Sequence, residues 1–145
     1  MNNRPIGVFD SGLGGLTVVK ALKKILPNER ILYFGDTARL PYGVKSRDLI
    51  IQYSMQIAKF LIKNDAKMII IACNTATAMA LEILKNNFTG IPIIGVIEPG
   101  SVQASLDSKN KKIGVIGTVA TINSKAYDTS LSLIDKEIQV FSKEC

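Results

Sequence analysis

The sequence predicts an α/β fold: a parallel-sheet βα lobe covered by helices on both faces, followed by the start of a second, similar lobe. Short apolar runs such as IGVF at 6–9, ILYFG at 31–35 and KMIIIA at 67–72 alternate with amphipathic runs. Strands that are apolar on both sides are typical of a parallel sheet buried between two layers. Between the first two strands, LTVVKALKKIL repeats apolar residues at helical spacing.

The remaining runs continue this alternation. A helix is predicted from its cap, Ser46, to about Lys63. Its predicted buried face carries six large residues: Leu49, Ile50, Tyr53, Ile57, Phe60 and Leu61. The next predicted elements are a helix at 74–87 and two strands at 91–97 and 112–117. A short helix then starts at Ser124, and a last strand spans 138–142. We expect a hinge at Glu98–Gly100, with a first lobe over 1–97 and an incomplete second lobe over 98–145.

Composition narrows the classes of function. The chain has 145 residues, 47% of them hydrophobic and 21% charged, which is typical of a globular protein. Its net charge of +6 comes from scattered lysines without interleaved aromatic residues, so we expect no nucleic-acid partner. With no histidine and two distant cysteines, we expect no metal site and no Cys–His pair. No apolar run suits a signal peptide or a membrane span, so we expect a cytoplasmic protein with reduced thiols.

Ligands of open parallel α/β sheets bind at the carboxyl ends of the strands, so the segments that follow the strands are the candidate site. These segments are rich in glycine, hydroxyl and amide residues: DSGLGG at 10–15, GDTARLPYG at 35–43, CNTAT at 73–77 and GTVATINS at 117–124. Together they would present one carboxylate, one thiol, several hydroxyls and many backbone N–H groups.

Cys73 is the candidate reactive group because it lies where a buried strand gives way to a helix. The positive end of a helix stabilises a thiolate, and its free N–H groups bind carboxylates. The alternative is a buried, inert cysteine. Asn74 and Thr75 favour a lined pocket, although both are also suitable helix caps.

Two other segments keep alternative interpretations open. DSGLGG resembles a phosphate loop, but Thr17 stands where GxGxxG needs glycine and no GK[ST] follows, so nucleotide binding is only a weak alternative. Its glycines more simply allow a tight turn and close approach of the backbone, and Asp10 either caps that turn or belongs to the site. In RLPYG, Tyr42 belongs either to an ordinary turn with an exposed tyrosine or to a rigid rim whose backbone groups hold a small ligand.

Five ordered blocks of the chain resemble the glutamate racemases of the aspartate/glutamate racemase superfamily: GVFDSGLGGLTV, YFGDTARLPYG, IIACNTATA, IPIIGVIEPG and IGVIGTVATINS. The resemblance implies an isomerase without a cofactor that interconverts L- and D-glutamate and so supplies D-glutamate for peptidoglycan. It also implies two α/β lobes with the site between them, a small-molecule substrate and a possible homodimer at full length. In this family one thiolate removes the α-proton and a second thiol delivers a proton to the opposite face.

The resemblance assigns roles to residues of this chain. Cys73 matches the catalytic cysteine of the first lobe, and Asp10 is expected to assist catalysis. The expected substrate-binding residues are Asp10, Ser11, Pro41, Tyr42, Gly43, Asn74, Thr75, Thr118 and Thr121. The family's second catalytic motif, of the Gly-Cys-Thr-His type, is absent, and Cys145 resembles a different, non-catalytic cysteine. We therefore expect an N-terminal portion of a racemase that does not racemise glutamate alone, with an exposed sheet edge and exposed apolar surface.

Two alternatives stay open at this point. One is a racemase of the same superfamily that acts on aspartate or another amino acid. The other is a non-catalytic binding module on the same scaffold, which the missing second cysteine favours. Exchange of the substrate α-proton with solvent separates the enzymes from the binding module.

Overall fold

The computed structural model describes residues 3–145, over which strands and helices alternate. The strands are β1 (Ile6–Asp10), β2 (Ile31–Gly35), β3 (Met68–Ile71), β4 (Ile93–Gly95), β5 (Lys112–Gly117) and β6 (Gln139–Glu144). The α-helices are α1 (Leu16–Ile25), α2 (Arg47–Lys63), α3 (Asn74–Asn87), α4 (Ile97–Asp107), α5 (Val119–Asn123) and α6 (Ala126–Ile134). A short 3-10 helix spans Tyr42–Val44.

The first four strands form one parallel sheet in the order β2-β1-β3-β4. Successive residues of β1 point to opposite faces: Val8 packs toward α1, and Phe9 packs toward α2 and α3. Both side chains are fully buried, which explains why the sequence shows a continuous apolar run rather than alternation. The predicted α/β class, with a parallel sheet between helices, is confirmed.

The strand order also determines where the chain can build a site. From β1 the chain passes to β2 on one side, and then crosses back to β3 on the other side of β1. The order therefore reverses between β1 and β3, and the crevice outside their carboxyl ends is the switch point where ligands of such sheets bind. The residues that follow these two strands are Ser11 and Cys73, with Ala72 between β3 and Cys73.

A second parallel sheet consists of β5 and β6, and α6 packs on one of its faces. Ile113 and Val115 point into a small core around Leu131. On the opposite face Ile116 is 78% exposed and Phe141 is 59% exposed. The exposed apolar surface that the sequence led us to expect is thus found on this face. The lobe limits at residues 97 and 98 remain a prediction.

Several predicted element boundaries are wrong. The residues of the expected hinge, Glu98–Gly100, form the first turn of α4, where proline is tolerated because its missing N–H would have no intrahelical acceptor. The hinge itself stays a prediction. The strand expected over 91–97 is only three residues long. The short helix begins at Ala126 rather than Ser124, which closes the preceding helix, α5.

The cap and limits predicted for α2 are confirmed, because the Ser46 hydroxyl accepts a hydrogen bond from the Leu49 N–H. Its predicted buried face is only partly correct. Ile50, Ile57 and Leu61 are buried, whereas Leu49 is 40% and Phe60 is 44% exposed.

Candidate functional site

A cavity of about 700 Å³ lies at the carboxyl ends of β1 and β3 and extends to β5 and α4. Most of the site residues predicted from the sequence line it: Asp10, Ser11, Cys73, Asn74, Thr75, Thr118 and Thr121. Pro41, Tyr42 and Gly43 do not line it. Cys145 is exposed and lies outside the cavity, with its Sγ 3.6 Å from the Gly117 carbonyl oxygen. The cavity thus contains one of the two thiols.

Asp10 holds the loop that enters the cavity after β1. Its Oδ2 atom accepts hydrogen bonds from the N–H groups of Gly12 at 3.2 Å and Gly15 at 2.9 Å. A side chain at Gly15 would not fit, because its Cβ would lie 2.7 Å from the Cβ of Asp10. The predicted turn cap is therefore present. The same buried carboxylate also places a negative charge on the cavity wall.

Cys73 is the N-cap residue of α3, and its sulfur acts as the capping acceptor. The Ala76 N–H donates to Sγ at 3.4 Å, and Sγ–H points to the Ser11 hydroxyl oxygen at 3.6 Å. The thiol thus bridges the segments that follow β1 and β3. The first two N–H groups of α3, from Asn74 and Thr75, have no intrahelical acceptor and can bind a carboxylate.

The expected net stabilisation of the thiolate by the helix end is not observed. Burial raises the pKa of the Cys73 thiol above its ordinary value, and the negative charge of Asp10 raises that pKa further. The hydrogen bonds from Ala76 and Ser11 lower the pKa but do not outweigh burial. Without a ligand, the thiol is the dominant form at neutral pH.

Three threonine hydroxyls close a triangle on the far wall of the cavity. Thr75 Oγ1 lies 2.9 Å from Thr118 Oγ1 and 3.1 Å from Thr121 Oγ1, and the last two oxygens are 3.0 Å apart. Thr118 also caps α5 by accepting from the Thr121 N–H. The triangle therefore joins the start of α3 to the start of α5, and so links the two sheets at the site.

Tyr42 is almost completely buried, with 1% of its surface exposed, so the interpretation as an ordinary turn with an exposed tyrosine is wrong. Its hydroxyl donates to Asp36, which also pairs with the Arg39 guanidinium at 2.7 Å. Arg39 in turn lies over the Tyr53 ring, 4.3 Å from its centroid. Burial and the hydrogen bond to Asp36 raise the pKa of Tyr42, which therefore remains a donor.

This network supports the wall of the cavity from behind. The ideal Cβ of Gly43 would lie 2.5 Å from the Cβ of Thr118, so only glycine allows the 3-10 helix to pack this closely. Pro41–Gly43 therefore acts on the cavity through Thr118 and not by lining it. The expected contact between the backbone of this segment and a ligand remains a prediction.

Asp36, Arg39 and Tyr127 were not singled out from the sequence. Tyr127, on α6, donates a hydrogen bond from its hydroxyl to Asn74 Oδ1 at 2.7 Å. Asp36 was visible in GDTARLPYG as a carboxylate directly after a strand, which is the signal that singled out Asp10. Tyr127 gave no local signal, because its partner lies 53 residues earlier in the chain.

These features define a class: a parallel α/β protein with a candidate thiol site at the switch point of its sheet. Within that class the chain belongs to the Asp/Glu/Hydantoin racemase family, whose profile matches residues 6–144. It is 49% identical over 142 residues to a glutamate racemase of Geobacter metallireducens. The aligned region covers 98% of this chain and 52% of that protein. With a glutamate racemase of Lactococcus lactis subsp. lactis it shares 51% identity over 145 residues, covering 100% of this chain and 53% of that protein.

A solved structure shares the fold. The crystal structure of glutamate racemase from Francisella tularensis subsp. tularensis in complex with D-glutamate superposes with a TM-score of 0.91 at 52% identity. The match covers 100% of this chain and 54% of that one, so the chain spans about half the length of the relatives it matches. Within residues 3–145, no helix is long and apolar enough to cross a membrane.

Proposed function

We propose that this chain forms the first-lobe half-site of a glutamate racemase, in which Cys73 exchanges a proton with the α-carbon of glutamate. The observation that carries the proposal is the position of the Cys73 sulfur, at the amino end of α3 and beside Ser11 in the cavity. Relatives that share about 50% sequence identity with this chain are glutamate racemases. One glutamate racemase of similar identity has a crystal structure in complex with D-glutamate.

The residues around the thiol fit the charged groups of an amino acid. The first N–H groups of α3 are donors for carboxylates. The hydroxyl of Thr75 or Thr118 becomes a further donor when it turns from the threonine triangle to the ligand. The carboxylate of Asp10 suits the α-ammonium group. The N–H groups of α3 are already in place, and they would also stabilise the charge that develops on the α-carbon and its carboxylate.

Proton transfer at the α-carbon follows from this arrangement. A Cys73 thiolate takes the α-proton, forming the S–H bond while the electron pair of the C–H bond remains on the α-carbon. A raised pKa makes the thiolate rarer but also a stronger base, which suits a carbon acid as weak as this one. Inversion needs a second acid on the opposite face of the carbon. We therefore propose that residues 1–145 alone exchange the α-proton without racemising glutamate.

The wider role is part of the same proposal. A full-length protein of this kind would supply D-glutamate for peptidoglycan in the cytoplasm, bind a small-molecule substrate without nucleic acid, and form a homodimer. Action on aspartate or another amino acid remains the alternative within the family, whose description includes aspartate and hydantoin.

The test follows the α-proton of L- and D-glutamate in heavy water by NMR, with circular dichroism to detect inversion. We expect exchange of at least one enantiomer by the wild-type chain and loss of that exchange in Cys73→Ser. Cys145→Ser is the matched control, because it removes the other thiol, which lies outside the cavity. Aspartate run in parallel tests the alternative substrate.

Three other outcomes of the exchange test would contradict parts of this proposal. Exchange that survives in Cys73→Ser contradicts the role of this thiol. No exchange from a folded wild-type chain that binds glutamate supports the binding module. Full inversion by the wild-type chain would overturn the claim that a second acid must come from outside these residues.

A further inference from the structure

Tyr127 reaches across the cavity from α6 to Asn74, the first residue of α3. Both residues line the cavity, and their contact joins the two parts of the chain that carry the two sheets. The tyrosine hydroxyl donates to Asn74 Oδ1 at 2.7 Å. Asn74 is otherwise exposed, so the amide faces a space that a ligand can occupy.

In this hydrogen bond the phenol is the donor and the amide oxygen is the acceptor, so the other end of the amide is presented to the cavity. A carboxamide has one oxygen acceptor and two N–H donors that occupy nearly equal volumes, so its orientation depends on its partners. With Oδ1 held by Tyr127, the Nδ2 donors are left for a ligand. Burial raises the pKa of Tyr127, which keeps the phenol protonated and able to donate.

We propose that Tyr127 is a positioning residue that orients the Asn74 amide so that the cavity prefers a carboxylate to a neutral amide. The inference rests on the proposed function, because it takes glutamate as the ligand of this cavity. Without the phenol hydroxyl, the Asn74 amide can turn and present Oδ1, which repels a carboxylate oxygen and accepts from an amide N–H. Because the donors at the start of α3 suit the α-carboxylate, Tyr127 favours glutamate over isoglutamine, its α-amide, without contacting either.

The first part of the test needs no ligand. The side-chain NH₂ signals of Asn74 are assigned in a ¹H–¹⁵N spectrum by their loss in Asn74→Asp, and are then compared between wild type and Tyr127→Phe. We expect the Asn74 signals to shift, and the backbone signals of β1 and β3 to stay unchanged. Tyr53→Phe is the control, because it removes a tyrosine hydroxyl on α2 that is not part of the cavity lining. Unchanged Asn74 signals in Tyr127→Phe would overturn the inference.

The second part measures selectivity by titrating each protein with D- and L-glutamate and with D- and L-isoglutamine, in which an amide replaces the α-carboxylate. In Tyr127→Phe we expect glutamate affinity to fall about threefold to tenfold, the range of one hydrogen bond, while isoglutamine affinity falls less or rises. Equal losses for both ligands would mean a merely structural role and would contradict the proposal.

The two parts also separate this inference from the proposed function. A wild-type chain that binds neither enantiomer of glutamate, although the Asn74 signals respond to Tyr127→Phe, contradicts the proposed function and the carboxylate preference together. It leaves the Tyr127–Asn74 contact established. A wild-type chain that binds glutamate with a selectivity unaffected by Tyr127→Phe contradicts the inference alone.

Discussion

The environment of Cys73 favours the protonated thiol. Burial outweighs the hydrogen bonds from Ala76 and Ser11 that stabilise the thiolate, so the pKa of this thiol is higher in the folded chain than in the unfolded chain. A raised folded-state pKa stabilises the fold fully below the unfolded-state pKa, which is about 8.5 for cysteine. This contribution is lost as the pH rises through the folded-state pKa.

We therefore predict that the stability advantage of the wild-type chain over Cys73→Ser shrinks above about pH 8.5. The decrease should reach at most roughly 1.4 kcal/mol per pH unit, the limit for one proton. Urea unfolding of both chains at intervals from pH 7 to pH 10.5, under reducing conditions, measures it. Taking the difference between the two chains removes the titration of lysines and tyrosines that they share.

Cys145→Ser provides the control for this pH series, because that thiol is exposed. Its pH series shows how much of any change follows from removing a thiol that lies outside the cavity. A difference between wild type and Cys73→Ser that is constant with pH would mean that the Cys73 thiol titrates alike in the folded and unfolded chains.

At single residues, the sequence predicted the positions of chemical groups better than their environments. Cys73 and Asp10 were found because each directly follows a predicted strand, and Asn74 because it is the next residue after Cys73. The sequence left a buried cysteine as one of two interpretations, and it could not decide between them because burial depends on how Ser11 and α3 pack around the thiol. Tyr127 was also missed, because a lone tyrosine in an amphipathic helix is usually a core residue. Its contact with Asn74 depends on packing between distant segments, which no local pattern shows.

At the level of elements, the 3-10 helix at Tyr42–Val44 depends on close packing at Gly43. We predict that Gly43→Ala destabilises the chain by about 1–3 kcal/mol, the usual cost of an added methyl in a packed site. The added Cβ would lie 2.5 Å from the Cβ of Thr118, so the 3-10 helix or α5 must move. Urea unfolding measures the cost, and the methyl signal of Thr118 reports the displacement.

Gly90→Ala is the matched control, because nothing lies within 4 Å of its ideal Cβ. Neither glycine has a positive φ, so both substitutions reduce the freedom of the unfolded chain in the same way. The difference between the two variants then reports the steric conflict at Gly43. Equal stability of the two variants would show that Thr118 moves aside freely.

The element predictions succeeded where one physical signal dominated. For α2, the Ser46 cap and the long apolar periodicity agreed, and both ends were correct. The helix α4 was missed because Pro99 and Gly100 were taken as a chain break. Proline in a first turn is compatible with a helix, so the pattern alone could not distinguish a hinge from a helix start.

For the molecule as a whole, polar contacts at the candidate site hold the two sheets together. The threonine triangle and the Tyr127–Asn74 hydrogen bond both run from α3 to elements that follow β5. Two lobes were expected from the sequence, but the contacts between them were not, since each joins residues more than 40 positions apart, such as Thr75 and Thr118 at 43. Removing one of these contacts tests whether residues 98–145 behave as a separate unit.

We predict that Thr121→Val loosens the second sheet without affecting the first. Valine keeps the shape of threonine but removes the hydroxyl that Thr75 and Thr118 share, at a cost of about 1 kcal/mol. Amide hydrogen exchange should therefore become about threefold to tenfold faster in β5 and β6, because sub-global opening of that part becomes easier. Exchange in β1 and β3 should stay the same.

Thr129→Val controls for the change of residue type, since Thr129 is exposed on α6. Its exchange rates should match those of the wild-type chain in both sheets. If Thr121→Val instead accelerates exchange in β1 and β3 as much as in β5 and β6, the chain opens as one cooperative unit, and the predicted division at residues 97 and 98 is wrong. If neither sheet responds, the triangle does not hold the sheets together, and the coupling must rest on the packing of α3 against α5 and on the contact between Tyr127 and Asn74.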